Sequence, residues 1–210
     1  MNDLLVRTLT GVILIGIALG AAVVGGNLFA YFAAAAATAM FFEWSRLVRG
    51  WGAGWYVLGF VYAMLPAISL LWIRERDAHG FELLLWTFLV TWSTDIGAYF
   101  AGRRFGRRKL APAISPGKTV EGLYGGIVAA ALIGGVWTLA THLGRPLLLL
   151  APIFALAAQA GDLFESGLKR RAGVKDSGSW LPGHGGVLDR LDGLVPVAVL
   201  TAAAQLVGLT

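Results

Sequence analysis

Asp162, Glu165, Ser166 and Lys169 recur at i, i+3, i+4 and i+7, a spacing that puts all four on one stripe of a helix. Two carboxylates beside a lysine at the end of an apolar run admit two readings. One is an interfacial salt-bridge cluster with Lys169 and Arg170. The other is a site for a cation or a phosphate, because ionised groups next to hydrocarbon are costly unless paired or metal-bound. The residues that follow favour the second. From Lys169 to Gly193 the chain reads KRRAGVKDSGSWLPGHGGVLDRLDG. Lys169, Arg170, Arg171 and Lys175 supply charge for anions, and Asp176, Asp189 and Asp192 supply oxygens for a hard cation. Gly183, Gly185 and Gly186 surround His184, so backbone amides there can approach a ligand closely. Magnesium is commonly held by one or two carboxylates together with the phosphates of a substrate. A loop that only set membrane topology would need the cations alone.

A second polar segment runs from Asp95 to Gly122 and includes Ile114-Ser115-Pro116-Gly117-Lys118-Thr119. The Gly-Lys-Thr triplet invites a phosphate-binding P-loop, but the first glycine of that motif would fall at Pro112 and no βαβ pattern surrounds it. Lys118 is instead expected as a point charge for a phosphate on a tight Pro-Gly turn. Asp95 lies late in an apolar run, where a carboxylate is a functional candidate by default; pairing with Arg103 or Lys118 is the competing explanation. His79 and His142 sit beside the ends of apolar runs and read as structural.

The elements that carry these residues are apolar to a degree no soluble domain needs. Of 210 residues, 57% are hydrophobic and 14% charged, against roughly 25% charged in soluble domains. A hydrocarbon core about 30 Å thick needs about 20 apolar residues in a helix. Seven candidate spans lie near 8–24, 27–42, 55–73, 81–101, 122–142, 147–168 and 193–209. The expected fold is therefore all-α, a polytopic integral membrane protein of about seven transmembrane helices. The uncharged stretch from Thr8 to Phe42 is too long for one helix, and Gly25-Gly26-Asn27 supplies a turn. Gly122/Gly126 and Gly16/Gly20 have GxxxG spacing, read as packing. With the N-terminus in the cytoplasm, fourteen of the seventeen Lys and Arg residues fall inside and Arg74, Arg76 and Arg145 outside, as the positive-inside rule requires. The two polar loops, 102–121 and 169–192, then face the cytoplasm. Residues 1–80 read as scaffold helices and 81–210 as the catalytic region. The clustered cations argue for topology and phosphate binding, not nucleic acid, and the absence of cysteine excludes thiolate chemistry.

The run Ser166-x-x-Lys169-Arg170-x4-Lys175-Asp176-x-Gly178-x2-Leu181-Pro182-x-His184-Gly185-Gly186-x2-Asp189-Arg190-x-Asp192 resembles the signature of the phosphatidate cytidylyltransferases, without a mismatch. Asp95-x-Gly97-Ala98-Tyr99-Phe100-x-Gly102-Arg103 and Ser115-Pro116-Gly117-Lys118-Thr119-x-Glu121-Gly122 are similar to that family's other cytoplasmic segment, with Ile96 where threonine is expected. The resemblance spans roughly residues 81–193. It implies transfer of CMP from CTP to phosphatidate, giving CDP-diacylglycerol and pyrophosphate, in the inner (plasma) membrane and with a magnesium ion or two cations. It implies Asp162 and Asp189 as metal ligands, with Asp162, Ser166, Lys169, His184, Asp189 and Asp192 at the reacting centre. Lys118, Arg170, Lys175, Asp176, Gly185, Gly186 and Ser115 would bind substrate. It further implies CTP, phosphatidate and bilayer lipid as partners and a homodimer as the assembly. Rival readings are a related CTP-dependent enzyme acting on an archaeal ether lipid or a polyprenol, and an ion-coupled transporter using Asp95 and Asp162.

Overall fold

A computed structural model describes residues 3–76, 78–181 and 183–210, with side chains from Thr8 onward. Pro182 of the signature, and the side chain of Arg7 in the charge count, lie outside the described residues. Among the described residues eight helices form: α1 (Asp3–Val24), α2 (Gly26–Leu47), α3 (Ala53–Glu75), α4 (Gly80–Phe105), α5 (Val120–Ala140), α6 (Leu147–Arg171), the single turn α7 (Leu188–Leu191), and α8 (Leu194–Leu206). Each of the seven expected spans coincides with a helix. Four of these, α2, α3, α5 and α6, are long and apolar enough to cross a membrane. Helix α4 is as long but carries more polar residues, and the apolar parts of α1 and α8 are shorter, Thr8–Val24 and Leu194–Leu206. Large apolar side chains such as Val12, Phe60, Leu132, Val136 and Leu149 are exposed on the outer faces, which suits a hydrocarbon solvent and would be costly in water.

The expected turn between the first two spans is real. Gly25 breaks the helix at φ 68°, a left-handed value that glycine adopts without strain. Arg74 at the end of α3 donates Nε to the carbonyl of Ala22 (2.8 Å) and Nη2 to that of Val23 (3.3 Å). It thereby satisfies carbonyls that the end of α1 leaves unpaired.

Helices α4 and α5 approach most closely. A Cβ at Gly126 would stand 2.8 Å from the Thr94 carbonyl oxygen, and one at Gly122 2.9 Å from that of Ala98. The Gly122/Gly126 pair is therefore packing, as its spacing suggested. Gly16 and Gly20 differ, since a Cβ at either would meet nothing from another element within 4 Å.

The segment between α4 and α5 is a two-stranded antiparallel hairpin, β1 (Lys109–Ala111) and β2 (Ser115–Thr119), with Lys109 opposite Thr119 and Ala111 opposite Ser115. Lys118 accordingly stands on a strand and not on a tight turn. Pro116 is tolerated because a two-stranded ribbon consists of edges. The strand runs directly into α5, whose first turn is capped where the Gly122 N–H donates to Thr119 Oγ1 (3.0 Å).

Antiparallel alternation brings the C-terminal ends of α2, α4 and α6 together with the N-terminal ends of α3, α5 and α8. Both polar segments thus lie at one end of the bundle, where Glu43 of α2 meets Ser177 and Lys118 meets Asp162. At the opposite end His79, His142 and Thr210 line a small cavity, remote from the acid cluster, as their structural reading requires.

Candidate functional site

At the polar end a cavity of about 700 Å³ opens between α4, β2, α5, α6 and α7, within the range of small-molecule sites. Among the described residues four carboxylates line it, Asp95, Asp162, Asp189 and Asp192, together with the bases Arg103, Lys118 and Arg190. The stripe read from the sequence is real on α6, but its members do different work. Asp162 pairs with Lys118 at 2.7 Å and receives a 3.3 Å hydrogen bond from Ser166 Oγ. Ser166 is not among the cavity-lining residues, so it orients Asp162. Lys118 also donates to Gln159 Oε1 (2.9 Å), one further turn back along the same face of α6.

Glu165 is fully buried, and its partner is Lys169 at 2.6 Å. Lys169 also reaches Asp189 at 2.7 Å. Its ammonium is therefore engaged by two carboxylates beneath the cavity floor and is not presented to a triphosphate. Asp189 is held further by the Ser177 N–H (3.0 Å) and the Gly186 N–H (2.7 Å). Burial by itself would raise its carboxyl, but Lys169 and the Gly186 amide outweigh that and hold it below the ordinary carboxylate value. Asp192 follows the opposite course. Burial, reinforced by Asp162, pushes it up to about 7.

The glycines of the loop serve the protein's own carboxylates. Gly185 takes φ 83°, and its carbonyl accepts from the Leu181 N–H at 3.0 Å, closing a tight turn. Gly186 has no room for a side chain, because a Cβ would run into Ser177 Oγ and the Glu43 carboxylate. His184 lies outside the cavity lining. Its carbonyl accepts two bonds from Arg190 (3.0 and 2.8 Å), and its imidazole faces Gly11 of α1. Arg170 bridges to the hairpin through the Ile114 carbonyl (3.1 Å) and caps its own helix end at Val174 (3.2 Å). Lys175 is exposed, and Asp176 lines a separate shallow depression beside Arg46. Ser115 pairs within the hairpin. Of the thirteen residues that the resemblance assigns, Lys118, Asp162, Asp189 and Asp192 share the cavity, where Asp95, a candidate from its place in an apolar run, also lies. The other nine support it or stand outside it.

Four contributors escaped the sequence reading. Arg190 falls inside the quoted motif but reads there only as a topology signal, and Arg103 reads only as a possible partner of Asp95. Gln159 lies on the Asp162–Ser166 stripe and is 5% exposed, a buried amide in an apolar helix. Glu43 is the most consequential. It is fully buried near the end of α2 and accepts from Ser177 Oγ (3.0 Å), Val187 N–H (3.0 Å) and Leu188 N–H (2.8 Å). It therefore clamps both ends of the glycine-rich loop. The available signal was its position, a lone acid directly after an uncharged stretch of two helices.

The residues present fit a magnesium–nucleotide complex. Four carboxylates against three bases would repel a triphosphate that came without a cation. Among the described residues no three His, Cys, Asp or Glu side chains converge as a metal cage. Magnesium suits that arrangement, since it takes few protein carboxylates and completes its shell with substrate phosphates. Asp162 is an available ligand, its side chain 30% exposed. Asp95 and Asp192 face the same space.

Residues 48–207 match the model of the cytidylyltransferase family. The chain is 38% identical to a phosphatidate cytidylyltransferase of Brucella suis biovar 1 (strain 1330), over 95% of this chain and 92% of the relative. It is 46% identical to the Bacillus subtilis (strain 168) phosphatidate cytidylyltransferase over 66% of this chain and 53% of that protein. With the Staphylococcus epidermidis (strain ATCC 12228) enzyme of the same name it shares 46% over 63% and 52%. The likeness to the Brucella protein extends well beyond residues 81–193 and takes in the helix that carries Glu43. A match over three-quarters of the sequence, sustained across nearly the whole length of a curated relative, leaves one assignment: this chain belongs to the cytidylyltransferase family.

Proposed function

We propose that this chain transfers the CMP group of CTP to the phosphate of phosphatidate, forming CDP-diacylglycerol and releasing pyrophosphate. The observation that carries the reading is the cavity of mixed acids and bases at the polar end of the bundle, in a chain so similar to proteins named for that reaction. An oxygen of the lipid phosphate attacks the α-phosphorus of CTP, a new P–O bond forms, and the bond to the bridging α–β oxygen breaks. A lipid phosphate is already anionic near neutral pH, so no strong general base is required. Catalysis then rests on positioning and charge neutralisation.

Lys118, Arg103 and Arg190 would neutralise the phosphates. Asp162, aligned by Ser166 and Lys118, would hold magnesium, with Asp189, Asp192 or Asp95 as further ligands or acceptors. When bound, the ion would neutralise the triphosphate and keep it in line with the lipid phosphate. Seven spans with the N-terminus and both polar segments cytoplasmic accord with the distribution of Lys and Arg and give access to CTP. A homodimer in the inner membrane completes the proposal.

The test is incorporation of radiolabelled CTP into phosphatidate by the purified protein in detergent. Labelled CDP-diacylglycerol should form only with magnesium. Asp162→Ala and Asp189→Ala should each lose about a hundredfold or more, the scale of removing one well-placed electrostatic group. Correctly folded variants with normal magnesium-dependent turnover would overturn the assignment. Preference for an unsaturated ether lipid would redirect it to a sister reaction. Because the sequence has no cysteine, Ser179→Cys and Arg145→Cys can report the orientation. The first should label with an impermeant maleimide from the cytoplasmic side and the second from outside.

A further inference from the structure

The alanine run of α2 has no part in the polar site, yet it walls a second cavity. Ala33, Ala36 and Ala37, together with Ala63 and Ala67 of α3, line a partly open recess of about 120 Å³. That is about ten times the space one water requires. Apart from the indole N–H of Trp92 its described lining is apolar, so it offers water few partners and suits an apolar ligand. A close-packed interior forfeits dispersion contacts around such a space unless something fills it.

Position and length identify the occupant. Along α2 the cavity runs from Phe29 to Met40, about 16 Å at 1.5 Å per residue. Half of a hydrocarbon core about 30 Å thick is about 15 Å, so the residues that line it are spread over the depth of one leaflet. Its upper end meets the polar site. At the α7–α8 joint Asp192 lines the polar cavity, while Leu191 and Leu194 on either side of it line the apolar one. One turn beyond Met40, Glu43 clamps the loop of the polar site. A molecule with its phosphate in the polar cavity would therefore find hydrocarbon lining within one residue of it.

The geometry points to this cavity as the seat of one acyl chain of the lipid substrate, which rests on the proposed transfer to a diacyl phosphate. The cavity would favour long chains over short ones, and the alanines would set how much chain it admits.

Ala36→Leu and Ala67→Leu, on different helices and away from the polar site, test this with dipalmitoyl and dioctanoyl phosphatidate in mixed micelles. Each variant should lose about tenfold in kcat/KM for the long-chain substrate, the value of about two buried methylenes, while the short-chain substrate stays within about twofold. The short-chain rate also serves as the control for folding. Equal losses on both substrates, or none on either, would overturn the proposal. A second measurement needs no variant. Phosphatidate with a diazirine near one chain end should label residues 29–40 and 63–70 of the wild-type protein. Labelling confined to other helices, or equal labelling by a diazirine phosphatidylcholine, would assign the cavity to no substrate chain. Failure of the wild-type protein to transfer CMP to either substrate would refute the activity, and the labelling would still report on the cavity.

Discussion

Replacing Glu43 by alanine should disable the site from a helix that contributes nothing to the cavity lining. The carboxylate is fully buried and accepts three hydrogen bonds, from Ser177 Oγ, Val187 N–H and Leu188 N–H. Hydrogen bonds to charged groups contribute about 1.5–3 kcal/mol each. Three of them amount to about 4.5 kcal/mol even at the low end, before counting the buried Leu188 N–H and the part-buried Val187 N–H left without acceptors. That corresponds to a factor on the order of a thousand in the closed population of the loop, at 1.4 kcal/mol per tenfold. Asp189 depends on the same loop through the Ser177 and Gly186 amides, so its placement should fail with the clamp. The measurements are hydrogen exchange at Val187 and Leu188 and CTP incorporation on the same preparation. In Glu43→Ala, exchange at both amides should accelerate by about two to three orders of magnitude, and kcat/KM should fall at least tenfold. Glu43→Gln should be intermediate, because its amide nitrogen would replace one acceptor that now faces a backbone N–H. Wild-type exchange protection in a folded Glu43→Ala protein would refute the clamp, whatever the activity.

Asp189 gives a prediction with a defined sign. Its folded pKa lies below the ordinary 3.8, so its contribution to stability is fully present above that value and is lost as pH falls through the depressed one. Melting in detergent between pH 6 and roughly pH 2 should show this acid-side loss, and Asp189→Asn should melt lower throughout with a flatter acid limb; a parallel limb would count against the Lys169 and amide contacts as the cause. Gly97→Ala should destabilise the α4–α5 pair by about 1–3 kcal/mol, since a Cβ there would lie 2.6 Å from the Gly125 carbonyl oxygen. An unchanged melting temperature would show that the two helices have room to separate.

The amphipathic stripe Asp162–Ser166–Lys169 was legible because helical period is a local property, and the helix containing it is long and strongly apolar. The same holds for the turn at Gly25 and the packing role of Gly122 and Gly126. The hairpin at 109–119 was not legible. Its two short strands have no alternation of apolar and polar residues to betray them, and Pro116 argues locally for a turn. The roles within the signature were equally hidden. Lys169, Gly185, Gly186 and Ser166 have the residue types of a phosphate site, but their partners are Glu165, Asp189, Leu181 and Asp162.

By itself, the sequence determined the apolar all-α class, the placement of the helices, the polar end of α6 and the family. Each of these follows from hydropathy, local period or a fixed string of residues. Tertiary structure alone decided which charges face the cavity and which neutralise one another beneath it. Whether a lysine meets a substrate or a carboxylate depends on groups distant in the chain. Lys118 and Asp162 are 44 residues apart and Glu43 and Leu188 145, and only the packing of α2, α6 and the hairpin brings them within hydrogen-bond reach.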